Sequence, residues 1–162
     1  MKKKLFGTDG IRGVVNKYPM TSEMAVRLGK SAAKILIKQT KKRPKIVIGK
    51  DTRISGYLFE MGLTSGLVSM GADVLLVGPL PTPAIAHLTK SLCADCGIVI
   101  SASHNPASDN GIKFFDHFGY KLSDDIELQI EEYLFSGKMD EEELSSSDIG
   151  RVMRVEEARG RY

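Results

Sequence analysis

The chain has 162 residues, of which 42% are hydrophobic and 27% charged, with 16 glycines and 6 prolines. This length and composition predict one globular domain with a real core and exclude a disordered or fibrous chain. No apolar run approaches the roughly 20 residues of a membrane helix, and the amino terminus lacks the apolar stretch of a secretion signal. Two cysteines are too few for a disulfide framework. The formal net charge of +3 is too small for binding dominated by nucleic-acid phosphates. We therefore expect a cytoplasmic protein without nucleic-acid or membrane partners.

In chain order, amphipathic helices alternate with short apolar strands. Apolar residues recur every three or four positions in the helices, and Pro, Gly and Thr-Pro signals separate the elements. Helices are predicted at 22–39, 55–70, 82–89 and 124–135, strands at 45–49, 73–77, 97–100 and 112–115, and a loop or frayed helix in the acidic, serine-rich tail at 138–147. This order predicts a layered α/β/α domain with a mixed, mainly parallel sheet.

A polar loop follows the strand predicted at 97–100 and carries the sequence Ser-Ala-Ser-His-Asn-Pro at 101–106. Ligands of open α/β sheets bind beyond the carboxyl ends of the strands, so the hydroxyls, imidazole and amide of this loop are candidates for one site. We predict a second reversal at the Asn-Gly pair 110–111 that brings Lys113 back towards Ser103.

Two further segments are rich in glycine and basic residues. They read Gly-Thr-Asp-Gly-Ile-Arg-Gly at 7–13 and Gly-Lys-Asp-Thr-Arg at 49–53, and neither matches a nucleotide-binding glycine motif. Glycine lets the backbone approach an anion and arginine offers paired donors, so both segments are interpreted as suited to phosphate. Asp51 and Arg53 are expected to form an ion pair or loop brace at a strand-to-helix turn rather than to act directly in catalysis.

Together, in this order, the three motifs resemble the α-D-phosphohexomutase superfamily over nearly the whole chain. The segment Asp-Asn-Gly-Ile-Lys-Phe-Phe at 109–115 and the final Gly-Arg-Tyr fit the branch that acts on glucosamine phosphates. The resemblance implies the domain I type of fold for residues 1–162, with later metal-binding, sugar-binding and phosphate-binding domains outside this chain. On that basis the isolated chain is expected to fold without catalysing the mutase reaction.

The resemblance also implies a mechanism. Ser103 carries a phosphoryl group, donates it to a sugar monophosphate to give a bound 1,6-bisphosphate, and takes the other phosphate back. Glucosamine 6-phosphate and glucosamine 1-phosphate would interconvert, a phosphate oxygen on Ser103 would help to hold Mg²⁺, and the remaining ligands would come from a missing domain. Arg12 and Lys113 match family residues assigned to charge stabilisation and proton transfer, His104 adjoins the nucleophile, and a homodimer is a possible assembly.

Several alternatives remain open. The enzyme could be a phosphomannomutase or phosphoglucomutase of the same superfamily, and the isolated domain could be a non-catalytic phosphosugar-binding or dimerisation module. His104 could brace the loop, Lys113 could be a strand-surface lysine, and Arg12 could tether its glycine loop. A serine hydrolase is disfavoured because no Gly-x-Ser-x-Gly elbow surrounds Ser103, and a redox or zinc role for the Cys93 and Cys96 pair is disfavoured by its position after a helix.

Overall fold

The computed structural model describes residues 2–142 and 144–162. In chain order its elements are β1 (Ile11–Val14), α1 (Ser22–Thr40), β2 (Lys45–Lys50), α2 (Gly56–Ser69), β3 (Asp73–Pro79), α3 (Thr82–Ser91), β4 (Cys96–Ile100), β5 (Asp109–Asp116), α4 (Asp124–Phe135), a 3-10 helix (Lys138–Glu141), β6 (Val152–Arg154) and α5 (Ala158–Arg161).

The strands form one six-stranded sheet in the order β1-β5-β4-β2-β3-β6. The pairs β4–β2, β2–β3 and β3–β6 are parallel, whereas β1–β5 and β5–β4 are antiparallel. Strands β4, β2, β3 and β6 form a parallel set that reaches one edge of the sheet, and β5 and β1 extend the sheet beyond β4 through antiparallel pairs. The prediction of a mixed, mainly parallel sheet is therefore confirmed.

Alternate residues of the central strands pack in two separate cores, because successive strand side chains point to opposite faces. Ile46 and Ile48 of β2 and Ile98 of β4 belong to the core that includes α1, α2 and α4. Val47 and Val99 belong to a smaller core with α3 and α5. Helices cover both faces, as the layered α/β/α prediction requires.

The helices α1 and α2 approach each other closely through glycine. A Cβ atom on Gly66 would lie 2.1 Å from the backbone oxygen of Val26, and one on Gly29 would lie 2.5 Å from the backbone oxygen of Leu63. Real Cβ atoms are not found at such distances, so only glycine permits this helix spacing. The close contact fixes α2 against α1.

Three differences from the sequence predictions concern strands. Ile11–Val14, inside the first glycine segment, forms β1, and Val152–Arg154 forms the edge strand β6, which was not predicted. The predicted reversal at 110–111 is wrong, because both residues lie inside β5. The Asn110 side chain accepts from Gly111 N–H and donates to Ser55 Oγ, so a residue typical of turns is satisfied within a strand.

The remaining elements follow the predictions more closely. Helix α4 has the predicted bounds, and its cap residue Ser123 accepts from the backbone N–H of Ile126. The tail contains a short 3-10 helix at Lys138–Glu141. Within residues 2–142 and 144–162, no helix combines the length and the apolar character that a bilayer crossing demands.

Candidate active site

The candidate site lies at the carboxyl end of β4, where residues 101–108 connect β4 to β5. The turn that follows the neighbouring strand β2 lies beside it, because Asp51 N–H donates to the backbone oxygen of Ile100. The serine loop and the Asp-Thr-Arg turn therefore meet at the same edge of the sheet, although about 50 residues separate them in the sequence.

Arg53 binds the serine loop from this turn. Its Nη1 donates to the carbonyl oxygens of Pro106 at 2.6 Å and Asp109 at 3.1 Å. Its Nη2 donates to those of Ser103 at 3.0 Å and Asn105 at 2.8 Å. The prediction that this arginine is a loop brace is confirmed.

Asp51 orients both Arg53 and the loop. Its carboxylate accepts from Arg53 Nε at 3.1 Å and from Ser101 Oγ at 2.7 Å. Ser101 Oγ in turn accepts from the backbone N–H of Ser103 at 3.1 Å. A chain of hydrogen bonds thus links the Asp-Thr-Arg turn to the backbone of the candidate nucleophile, a role for Ser101 that sequence reasoning missed.

Ser103 itself is exposed and has a φ of 55°, in the left-handed region that few residues other than glycine adopt. Such a conformation persists when the surroundings fix the backbone, and here both the N–H and the carbonyl of Ser103 are hydrogen-bonded. The distance from Ser103 Oγ to His104 Nδ1 is 3.4 Å, which is long for a hydrogen bond. The structure therefore presents an exposed hydroxyl that His104 contacts only loosely.

Arg12 and Lys113 lie on adjacent antiparallel strands at this side of the sheet. Arg12 of β1 is opposite Gly111 of β5, and Lys113 is two residues further along β5, so both side chains belong to the same face. The Nε of Arg12 is buried and has no hydrogen-bond partner in the described part of the chain. Gly111 also pairs with the start of the serine loop, since Ser101 N–H donates to its carbonyl oxygen, which puts Arg12 beside that loop.

The first glycine segment packs over Lys113. Gly10 has a φ of 82°, and a Cβ atom there would lie 2.3 Å from the backbone oxygen of Ile112 and 2.9 Å from Lys113 Cγ. Asp9 of the same turn approaches Lys113 Nζ at 3.9 Å. Thr8, Asp9, Gly10 and Lys113 line a pocket of about 160 Å³; neither Ser103 nor Arg12 is among the described residues that form its wall.

The lysine of the second basic segment is not available to a ligand. Lys50 is 1% exposed, and its Nζ lies 2.7 Å from the carboxylate of Glu60, which is 2% exposed. The same ammonium group stands 4.5 Å from the ring centre of Tyr57. The interpretation of 49–53 as suited to phosphate is therefore wrong for this segment, because Lys50 and Arg53 are both bound within the protein.

The described part of the chain offers few ligands to a metal ion. No group of three or more His, Cys, Asp or Glu residues that could hold a metal is present in residues 2–142 and 144–162. Asp51 is bound to Arg53 and Ser101, and Asp9 lies near Lys113. The residues around Ser103 offer Mg²⁺ the serine oxygen and do not form a ligand set of their own.

The two cysteines do not form a paired site. Cys93 is exposed and Cys96 is buried, and both are free thiols. Burial raises the pKa of the Cys96 thiol to about 12. A buried neutral thiol is a poor nucleophile and a poor metal ligand, which disfavours a redox or zinc role as the sequence position did.

The chain is similar to known proteins along most of its length. A family model described as phosphoglucomutase/phosphomannomutase, alpha/beta/alpha domain I, matches residues 3–141. A phosphoglucosamine mutase of Pelobacter propionicus is 59% identical over 160 residues, and one of Syntrophotalea carbinolica is 57% identical over 162 residues. These matches cover 99% and 100% of this chain, which spans 35% of the length of both relatives.

Solved structures show the same fold. A putative phosphomannomutase from Thermus thermophilus gives a TM-score of 0.77 at 29% identity, covering 94% of this chain and 33% of that chain. A phosphoglucomutase/phosphomannomutase family protein from Burkholderia thailandensis gives a TM-score of 0.77 at 25% identity, covering 96% and 34%. The chain belongs to the phosphoglucomutase/phosphomannomutase family and carries its α/β/α domain I.

Proposed function

We propose that this chain is the nucleophile-bearing first domain of a phosphoglucosamine mutase, which interconverts glucosamine 6-phosphate and glucosamine 1-phosphate. The proposed chemistry rests on one observation: Ser103 is exposed, and hydrogen bonds to its backbone N–H and carbonyl hold it in a left-handed conformation. The choice of sugar rests on the relatives named phosphoglucosamine mutase at 57–59% identity.

The proposed reaction begins with phosphorylated Ser103. A sugar hydroxyl attacks the phosphorus, the bond from phosphorus to Oγ breaks, and a phosphorus–oxygen bond to the sugar forms. The hydroxyl proton leaves to a base, and Ser103 Oγ takes up a proton. The resulting 1,6-bisphosphate reorients, and the reverse transfer of its other phosphate restores the phosphoserine and releases the isomeric monophosphate.

The basic side chains beside the loop have complementary roles in this proposal. Phosphoryl transfer requires little covalent chemistry from the protein, so catalysis depends mainly on positioning and on stabilisation of the phosphate charge. Arg12 is suited to stabilising phosphate oxygens, because its buried Nε has an unused donor in the described structure. Lys113 is the candidate for proton transfer, and His104 lies next to the nucleophile with a loose side-chain contact of 3.4 Å.

The proposal assigns only one Mg²⁺ ligand to this chain. A bound Mg²⁺ would offset negative charge on the transferring phosphoryl group. Within this chain the phosphoserine oxygen is the ligand we assign to it, and the acidic ligands would come from later domains. We accordingly expect the isolated 162-residue chain to lack mutase activity. A cytoplasmic location and the lack of nucleic-acid and membrane partners remain predictions from the sequence.

The test uses the full-length enzyme and a matched pair of serine variants. Ser103→Ala removes the proposed nucleophile, whereas Ser108→Ala changes an exposed serine of the same loop. We expect Ser103→Ala to abolish turnover of glucosamine 6-phosphate and to remove one phosphoryl group from the intact mass, and Ser108→Ala to change neither. Turnover by Ser103→Ala at the wild-type rate would refute the proposal.

The same assay separates the sugars. Relative kcat/KM on glucosamine, glucose and mannose phosphates distinguishes phosphoglucosamine mutase from phosphoglucomutase or phosphomannomutase, because specificity is a ratio of these values. A preference for glucose or mannose phosphate would keep the phosphoserine chemistry and replace the substrate. No turnover of any of the three would leave the non-catalytic binding module as the better proposal.

One surface feature supports the proposed homodimer. Exposed apolar side chains occur in the turn before α2 and along its first two turns: Ile54 of the turn is 89% exposed, and Tyr57 and Met61 of the helix are 55% and 67% exposed. A patch of this kind is typical of a contact surface. Sedimentation of the wild type and of Met61→Glu checks it, since a dimer that uses the patch should dissociate in the variant.

A further inference from the structure

The guanidinium group of Arg53 is saturated by this chain. Arginine has five N–H donors, and those of Arg53 are matched by the Asp51 carboxylate and by four loop carbonyls, those of Ser103, Asn105, Pro106 and Asp109. Its side chain is 12% exposed. Arg53 therefore has no donor left for a ligand phosphate, and any effect that it has on the reaction must pass through the loop.

The bond to the Ser103 carbonyl also fixes the next amide. The Ser103–His104 peptide is trans, so its N–H points in the direction opposite to its carbonyl, away from Arg53. Ser103 and His104 are both exposed, and the His104 N–H has no acceptor among the residues that the structure describes. An unpaired backbone N–H next to the nucleophile is a donor suited to a phosphate oxygen on Ser103.

We propose that Arg53 is a positioning residue for phosphoryl transfer at Ser103, an inference that rests on the proposed function. By binding the four carbonyls it holds the loop in the conformation that exposes the Ser103 hydroxyl and turns the His104 N–H towards the same exposed side. Asp51 assists, because it fixes Arg53 through Nε and Ser103 through Ser101. The bonds run to backbone atoms, so the brace is independent of whether Ser103 carries a phosphoryl group.

A lysine cannot reproduce this arrangement. Arg53→Lys keeps the positive charge but replaces a planar fork of five donors by a single ammonium group with three. At most three of the five present bonds can then form, and the loop loses its fixed shape without losing the charge beneath it. Arg43→Lys is the matched control, since Arg43 also donates to two loop carbonyls, those of Ile149 and Asp148, outside the serine loop.

The experiment compares kcat and KM of the full-length wild type, Arg53→Lys and Arg43→Lys on glucosamine 6-phosphate. The Ser103 phosphorylation of each sample is matched beforehand by intact mass, and the melting temperature is recorded. Misplacement of reacting groups by about 1 Å lowers rates by about 100-fold, so we expect kcat of Arg53→Lys to fall by about that factor. We expect KM of this variant and both kinetic constants of Arg43→Lys to stay within about threefold of wild type.

Each outcome decides between the proposals. An active wild type with an unchanged kcat in Arg53→Lys, or with a loss confined to KM, overturns the positioning role and leaves the mutase function intact. A wild type that turns over none of the glucosamine, glucose and mannose phosphates overturns both. If Arg53→Lys does not fold, Asp51→Asn replaces it: this variant removes the negative charge that holds Arg53 Nε and Ser101 Oγ, so the guanidinium should no longer be fixed against the four carbonyls. A kcat of Asp51→Asn equal to wild type would then overturn the proposal.

Discussion

The buried ion pair between Lys50 and Glu60 makes the sharpest stability prediction. Both side chains are almost fully enclosed, at 2% and 3% exposure, and the Nζ–Oε2 distance is 2.7 Å. In Glu60→Gln the ammonium group stays buried and loses its charged partner. Removal of one member of a buried pair destabilises proteins by about 3–5 kcal/mol, because the remaining charge is uncompensated. Stacking on Tyr57 offsets only a part of this loss, about 1–2 kcal/mol at most.

We therefore expect the free energy of unfolding to fall by about 3 kcal/mol in Glu60→Gln. In a chain of this size each kcal/mol corresponds to about 2–4 °C, so the melting temperature should fall by about 6–12 °C. Urea unfolding followed by circular dichroism gives the free energy, and calorimetry gives the melting temperature. The double variant Lys50→Met with Glu60→Leu replaces the pair by apolar side chains and should recover most of the stability, since such replacements are often neutral or stabilising.

A weak effect would refute this reasoning. Glu142→Gln disrupts the Lys34–Glu142 pair, whose side chains are 40% and 28% exposed, and exposed pairs contribute less than about 1 kcal/mol. If Glu60→Gln lost no more stability than Glu142→Gln, burial would not make the first pair costly to break. If the double variant were as unstable as the single one, the loss would come from packing around Phe59 and Gly56 rather than from an unpaired charge.

Three smaller predictions follow from burial, packing and charge. With a maleimide at about pH 7.5, Cys93 should be labelled and Cys96 should not, because burial raises the pKa of Cys96 to about 12; labelling of both in the folded chain would contradict this. Gly66→Ala should lower the free energy of unfolding by about 1–3 kcal/mol through overpacking against α1, whereas Gly160→Ala, with nothing within 4 Å of the added Cβ, should be neutral in the same urea titration. A hydrogen bond from Lys34 holds the pKa of Glu142 below its ordinary 4.5. The stability that this ion pair contributes is therefore present above pH 4.5 and is lost as the pH falls through the lower folded pKa. The melting temperatures of wild type and Glu142→Gln should differ at about pH 7 and converge near pH 2.

The four longer helices were predictable because their signals are local, whereas the short α5 was not predicted. Asp124–Phe135 is preceded by Ser123, whose side chain caps it, and has Asp124, Asp125 and Glu127 in its first turn. The central strands were equally clear, because residues 46–50 and Cys96–Ile100 are buried on both faces and residues 46–49 and 96–100 read as continuous apolar runs.

The edge strands were not predictable in the same way. Ile11–Val14 contains an arginine and a glycine, and it is a strand because it pairs with β5 from Ile112 to Asp109. Val152–Arg154 has three exposed residues and pairs with Val74 to Leu76 of β3. Short strands of this kind are defined by tertiary pairing rather than by their own sequence.

The serine loop was identified from its sequence, but the hydrogen bonds that hold it in place were not. Ser101-Ala-Ser-His-Asn-Pro is a local motif after a buried strand, so residue type and position sufficed to identify it. The hydrogen bonds from Arg53 to its carbonyls join residues 50 to 56 positions apart. No spacing rule predicts which carbonyls a side chain from a neighbouring strand end will reach, so only the general expectation of a brace was possible.

The two basic segments show why sequence alone did not separate a ligand arginine from a structural one. Arg12 and Arg53 both follow a glycine and an aspartate within a few residues, and both lie at the edge of the sheet that bears the serine loop. The difference is in their donors: Arg53 has an acceptor for every N–H, whereas the buried Nε of Arg12 has none in the described residues. A buried donor without a partner is costly unless a ligand supplies the acceptor, so the unsatisfied arginine is the candidate phosphate ligand and the satisfied one is the candidate scaffold.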